Sequence, residues 1–127
     1  MTRFVPFFAS LLLLVACRPE AIEKMAHATK QMDATYSAAY AEAADDCLEA
    51  SSGWAEYDAC MEPWETGAEA LGVVHDAALA LDTADARLNY KAAGCAWFRA
   101  VAVLDAVSPV EIPAAATALT SRWNRRC

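Results

Sequence analysis

The stretch from Pro19 to Ala50 most constrains what this chain can fold into. Ile22, Met25, Thr29, Met32, Tyr36, Ala39 and Ala43 recur at steps of three and four, a heptad-like seam that ends near Cys47 and Leu48. Pro19 suits the first turn of a helix, and Glu20 and Glu23 complement the positive end of its dipole. The pattern predicts one helix ~45 Å long at ~1.5 Å per residue.

The rest of the chain follows the same period. Alanine dominates, glycine is scarce and no β-branched alternation appears, so an all-α fold is expected: a small antiparallel bundle of three to four helices. Ser51-Ser52-Gly53 reads as a turn with N-cap chemistry. After it Tyr57, Cys60, Trp64, Leu71, Val74, Ala78 and Leu81 share a face, with Gly67 in the same row. Pro63 either kinks this helix or divides it near Met61. Trp54, Tyr57, Met61 and Trp64 fall on one flank, expected as ordinary core, with an exposed aromatic patch as the alternative. Asp82-Thr83-Ala84-Asp85 reads as a tight turn. A third helix then carries Leu88, Ala92, Cys95, Phe98, Val101 and Ala102 on one face, with Trp97, Val103 and Leu104 making it apolar nearly all round. Ser108-Pro109-Val110-Glu111 looks like a capping box, but Pro113 would fall inside that helix; the alternative is an extended 108–112 segment and a fourth helix starting at Pro113. The fourth seam is Ala116, Leu119, Trp123 and Cys127.

Ahead of these helices, Arg3 precedes an apolar run from Phe4 to Ala16. A run this short fits the core of a signal peptide and falls below the ~18–20 residues of a membrane span. Leu14-Val15-Ala16-Cys17 resembles the lipobox of bacterial lipoprotein precursors. The resemblance implies cleavage before Cys17, acylation of its thiol and of the new amino terminus, and a stable anchor. It divides the chain into a signal peptide, 1–16, and a helical bundle domain, 17–127, held to the membrane at Cys17 with almost no linker. Arg18 in place of aspartate leans toward the periplasmic face of the outer membrane if the cell is Gram-negative. The run Tyr57-Asp58-Ala59-Cys60-Met61-Glu62-Pro63-Trp64 loosely resembles a segment of short helical lipoproteins of phage genomes.

With Cys17 lipidated, four cysteines remain. Cys47 and Cys60 are equidistant from the Ser52-Gly53 turn, so an antiparallel hairpin brings them level. Cys95 and Cys127 come level only if the fourth helix starts near Pro113. Two disulfides of this kind suit an exported small domain. Zinc is disfavoured, because there is no Cys-x-x-Cys pair and only His27 and His75 could add ligands; no metal and no cofactor are expected.

Charge is unevenly placed. Loss of the leader removes Arg3 alone, moving the formal net charge from −7 to −8. Between Gln31 and Ala86 lie thirteen Asp or Glu and no Lys or Arg, whereas six basic residues follow from Arg87 against Asp105 and Glu111. Such acidity excludes nucleic acid as a partner. The simplest expectation is that these charges pair across the bundle; the sharper one is an acidic 31–86 surface that meets a basic protein. Catalytic signals are lacking: His75 and Asp76 diverge on a helix, and there is no nucleophile elbow or phosphate-cradling glycine loop. The sequence therefore reads as a non-catalytic, membrane-anchored binding or structural module of the cell envelope. Alternatives are a phage-encoded envelope lipoprotein acting in lysis or superinfection exclusion, and an acidic inhibitor of a basic enzyme such as a lysozyme. A direct hold of Arg122, Arg125 and Arg126 on lipid headgroups is disfavoured, because pairing of Cys127 with Cys95 is expected to park them halfway up the third helix.

Overall fold

The computed structural model describes residues 20–83 and 89–127. The leader, the lipobox Leu14–Cys17, the start at Pro19, Ala84, Asp85 and Leu88 lie outside the described residues. Within the described residues four helices follow in order: α1 (Glu20–Ala50), α2 (Trp54–Ala80), α3 (Tyr90–Val107) and α4 (Ala114–Asn124). They form the expected all-α antiparallel bundle. α2 packs against both α1 and α3, and α4 closes the assembly against α3 and α1.

α1 buries Ile22, Met25, Ala28, Thr29, Met32, Tyr36, Ala43 and Cys47, nearly the seam that its periodicity defines. Leu48 departs from it and stands 57 % exposed. The departure has a simple cause: α3 and α4 do not reach this far up α1, so one helix neighbour cannot cover a wide stripe. The serines after α1 act differently from the sequence expectation. Gly53 occupies the N-cap of α2 without a side-chain bond. Ser51 Oγ instead donates to the Cys47 carbonyl at 2.6 Å, satisfying an orphan acceptor at the end of α1.

α2 runs through Pro63 as one helix. Proline has no N–H to offer the carbonyl four residues earlier, and Tyr36 braces the next turn from outside by donating its hydroxyl to the Trp64 carbonyl. That ring lies over Gly67, where a Cβ would overlap it. Burial pushes the Tyr36 hydroxyl pKa up, with nearby Tyr40 adding to the effect. The expected face is largely the buried one: Gly67, Leu71, Val74 and Leu81 are buried, joined by Met61 and Ala70, and Tyr57, Trp64 and Ala78 are half-buried, while Cys60 is exposed.

α3 is rotated from the sequence reading. Gly94, Cys95, Trp97, Ala100, Val101 and Leu104 are buried, whereas Ala92, Ala102 and Val103 are exposed. Trp97 sets the rotation. Its Nε1–H donates at 2.9 Å to Thr29 Oγ1, and Thr29 donates onward at 2.8 Å to the Met25 carbonyl. A buried indole N–H needs such a partner, so the ring points at α1. Gly94 lets the Trp123 ring of α4 lie directly on the α3 backbone.

The capping box at Ser108 is not formed. Ser108 Oγ accepts the Val110 N–H at 3.1 Å in a local turn, and α4 begins at Ala114 with Pro113 as its N-cap residue. Pro113 contributes its carbonyl, which accepts the Ala116 and Thr117 N–H groups, and needs no N–H of its own.

Candidate functional site

Above the level of Tyr40 and Trp64, the last partly buried residues of α1 and upper α2 packed on the main core, the α1–α2 hairpin rises as two helices alone. Its own interior is small: Ala43, Cys47 and Met61. Cys47 and Cys60 lie across the hairpin in disulfide geometry, with Cα atoms 5.8 Å apart. Cys95 and Cys127 do the same between α3 and the residue chain after α4, at 5.7 Å. Both pairs are those ranked first from spacing; the burial expected at Cys60 is the part that fails.

The aromatic flank splits. Met61 is buried and Trp64 half-buried, as core residues are, while Trp54 stands 75 % exposed with Tyr57 half-buried beneath it. The two rings meet edge to face, centroids 5.7 Å apart. Leu48, Ser51 and Gly53 complete a shallow groove of about 150 Å³ beside them. A large exposed aromatic on a small pedestal is a poor core residue and a good anchor for another protein.

The same hairpin carries Glu42, Asp45, Asp46 and Glu49 on α1 and Glu56, Asp58, Glu62 and Glu65 on α2, all exposed. Among the described residues, none of these eight carboxylates pairs with a Lys or Arg across the bundle. Among the described residues the ion pairs are Lys24–Glu20 at 3.2 Å and the His75–Asp33 contact at 3.3 Å, and neither touches the tip. The physical reason is axial separation: Arg122, Arg125 and Arg126 end α4 beside the start of α1, at the opposite end of the bundle.

The tip's placement of charge works against local stability. Asp46 and Glu49 sit near the C-terminal end of α1, where the dipole favours cations. Glu42–Asp46, Asp45–Glu49 and Asp58–Glu62 are like-charge pairs at four-residue spacing, and Glu42–Asp45, Asp46–Glu49 and Glu62–Glu65 at three. At ~0.2–0.5 kcal/mol each, the set costs on the order of 2 kcal/mol. Glu56 is the exception that contributes locally. Its carboxylate accepts the Ser52 N–H at 3.0 Å, and that bond holds its pKa below the ordinary value.

Of the remaining residues singled out from sequence, Cys17 lies outside the described residues. His27 sits on the exposed face of α1. His75 meets Asp33 of α1 rather than its neighbour Asp76, a cross-helix pair that spacing within one helix cannot reveal. Among the described residues no group of three or more His, Cys, Asp or Glu side chains is arranged to hold a metal, and no helix is long and apolar enough to cross a membrane. Compared with protein families, curated proteins and solved structures, the chain finds no match.

Proposed function

We propose that this chain is a non-catalytic, lipid-anchored binding module of the bacterial cell envelope, held at Cys17 and presenting the α1–α2 tip to a basic protein partner. One observation carries the reading: the hairpin that exposes Trp54 and Leu48 also exposes eight carboxylates between Glu42 and Glu65, with no Lys or Arg among them. Local rules broken at a cost to the fold mark places where function has set the sequence. An apolar anchor ringed by one sign of charge fits a partner of the opposite sign, with the charges steering encounter and the tryptophan supplying the desolvated centre.

Distance supports the same assignment. The 31 residues of α1 place the tip ~45 Å from its start at ~1.5 Å per residue, and Cys17 precedes that start by three positions. An anchor there holds the acidic end far from the bilayer, where a soluble partner can reach it. Inhibition of a basic enzyme such as a lysozyme is favoured as one use of the tip, because its acids stand together and unpaired with the α4 arginines.

The test is retention of lysozyme, a basic probe, on the immobilised chain. Retention is expected at low salt, elution is expected as the Debye length shortens, and loss is expected in a variant combining Trp54→Ser with Asp45→Asn, Asp46→Asn and Glu49→Gln. Equal retention by the variant, or none by the parent chain, contradicts the proposal.

A further inference from the structure

The opposite end of the bundle is built with equal specificity. The last turn of α4 and the turn that follows it carry Arg122, Arg125 and Arg126, all exposed. These residues are not a fraying tail. The N–H groups of Arg126 and Cys127 donate to the Trp123 carbonyl at 2.9 and 3.0 Å. Arg126 lies over the Trp123 ring, 5.2 Å from its centroid, and Cys127 pairs with Cys95. Because α3 begins at Tyr90, Cys95 is in its second turn. The arginines therefore sit near the lower end of the bundle rather than halfway up it, which removes the objection raised by the sequence. None of the three has a carboxylate partner among the described residues.

Beside them a groove of about 430 Å³ opens between the first two turns of α1 and α4. Ala115, Ala118 and Leu119 give it an apolar floor. Its rim carries Lys24, His27 and Arg122 together with Glu20 and Glu23. Glu20 is engaged by Lys24, and Lys91, in the first turn of α3, is exposed at the same end. Glu20 is also where the chain arrives from Cys17, three positions earlier.

We infer that this end of the bundle is a docking surface for anionic phospholipid, with Arg122, Arg125 and Arg126 on the headgroup phosphates and the apolar floor against the glycerol and upper acyl chain. A free phosphate has no use for such a floor. Cations close to an anionic bilayer each strengthen attachment by about fivefold, and the carboxylates of the far tip are repelled by the same surface. Both effects turn the long axis upright and point Trp54 away from the membrane. The inference takes its bilayer proximity from the lipid-anchor reading, but the contact itself belongs to α1 and α4.

The test uses the full chain reconstituted in nanodiscs, comparing neutral phosphatidylcholine with the same lipid carrying ~30 % phosphatidylglycerol, and reads amide hydrogen exchange in 20–27 and 119–127. Exchange is expected to slow by about fivefold or more on the anionic discs, to recover at ~0.5 M NaCl, and to recover in a variant with Arg122, Arg125 and Arg126 changed to Gln. Arg99→Gln, an exposed cation away from this end, is expected to leave the protection intact. Equal exchange on the two discs overturns the inference, as does protection that survives in the triple variant. Protection on neutral discs with millimolar inorganic phosphate alone reassigns the site to the free anion and also overturns it. The mass of the reconstituted chain reports acylation of Cys17 independently, so failure of the phospholipid contact is distinguishable from failure of the anchor.

Discussion

Replacing Cys47 and Cys60 by serine removes the staple of a hairpin tip that little else holds. The tip lies beyond the main core and buries Ala43, Cys47 and Met61. Its carboxylate pairs oppose it by on the order of 2 kcal/mol. The disulfide closes a sequence separation of 13, a loop worth about 3 kcal/mol in the chain-entropy account. The two terms are of similar size, so the staple offsets the repulsion with little to spare. Without it, local opening of the tip is expected to become easier by about 3 kcal/mol, or roughly a hundredfold faster amide exchange over residues 44–60 at 1.4 kcal/mol per decade. Exchange in α3 and around Trp97 is expected to change far less, because the core does not depend on the tip. Raising salt to ~0.5 M shortens the Debye length to a few ångströms and should restore part of the protection. Site-resolved hydrogen exchange on the double variant measures all three. Unchanged exchange at the tip refutes the idea that the disulfide holds it, and a salt-independent increase refutes the electrostatic part of the argument.

Thr29→Val keeps the side-chain shape but takes the acceptor from the buried Trp97 N–H; a loss of about 1–3 kcal/mol is expected in urea unfolding, with Thr29→Ser close to the parent. Gly67→Ala drives a methyl into the Tyr36 ring, and overpacking at such a site is expected to cost about 1–3 kcal/mol, visible as a lower melting temperature. Glu56 has a folded pKa below its unfolded value through its bond from Ser52. Its contribution is therefore present above the unfolded pKa and lost as pH falls through the folded one; Glu56→Gln is expected to abolish that acid-side dependence in tip exchange between pH ~5 and ~3.

The elements of this fold were legible where a periodic stripe meets several neighbours. Ile22 to Tyr36 is buried as its spacing dictates because helices surround that part of α1. Periodicity failed where the number of neighbours changes, a property of the assembled bundle. Leu48 and Trp54 are apolar and in phase with their helices, yet exposed, because α3 and α4 stop short of them. The rotation of α3 was hidden for a related reason: with Trp97, Phe98, Val101 and Leu104 all apolar, hydrophobicity marks no single face, and the Thr29 hydroxyl decides. Pro113 and the even spacing of Cys95 and Cys127 about it were informative together, since one boundary satisfies both. The separation of charge along the bundle was half visible. Sequence shows that residues 31–86 lack Lys and Arg, but only the antiparallel order places Arg122 to Arg126 at the far end, out of reach of the tip carboxylates.

The central claim, that a disulfide-stapled bundle is lipid-anchored with its acidic tip held outward, is tested most directly by the intact non-reducing mass of the mature chain isolated from bacterial membranes. The account predicts a chain beginning at Cys17, heavier than its amino-acid mass by the diacylglyceryl and amide-linked acyl groups, with four hydrogens missing for two disulfides and no thiol reacting at Cys60 or Cys127. A chain that retains residues 1–16, or that begins at Cys17 without acyl mass, contradicts the anchor; a free thiol at Cys60 or Cys127 contradicts the staples.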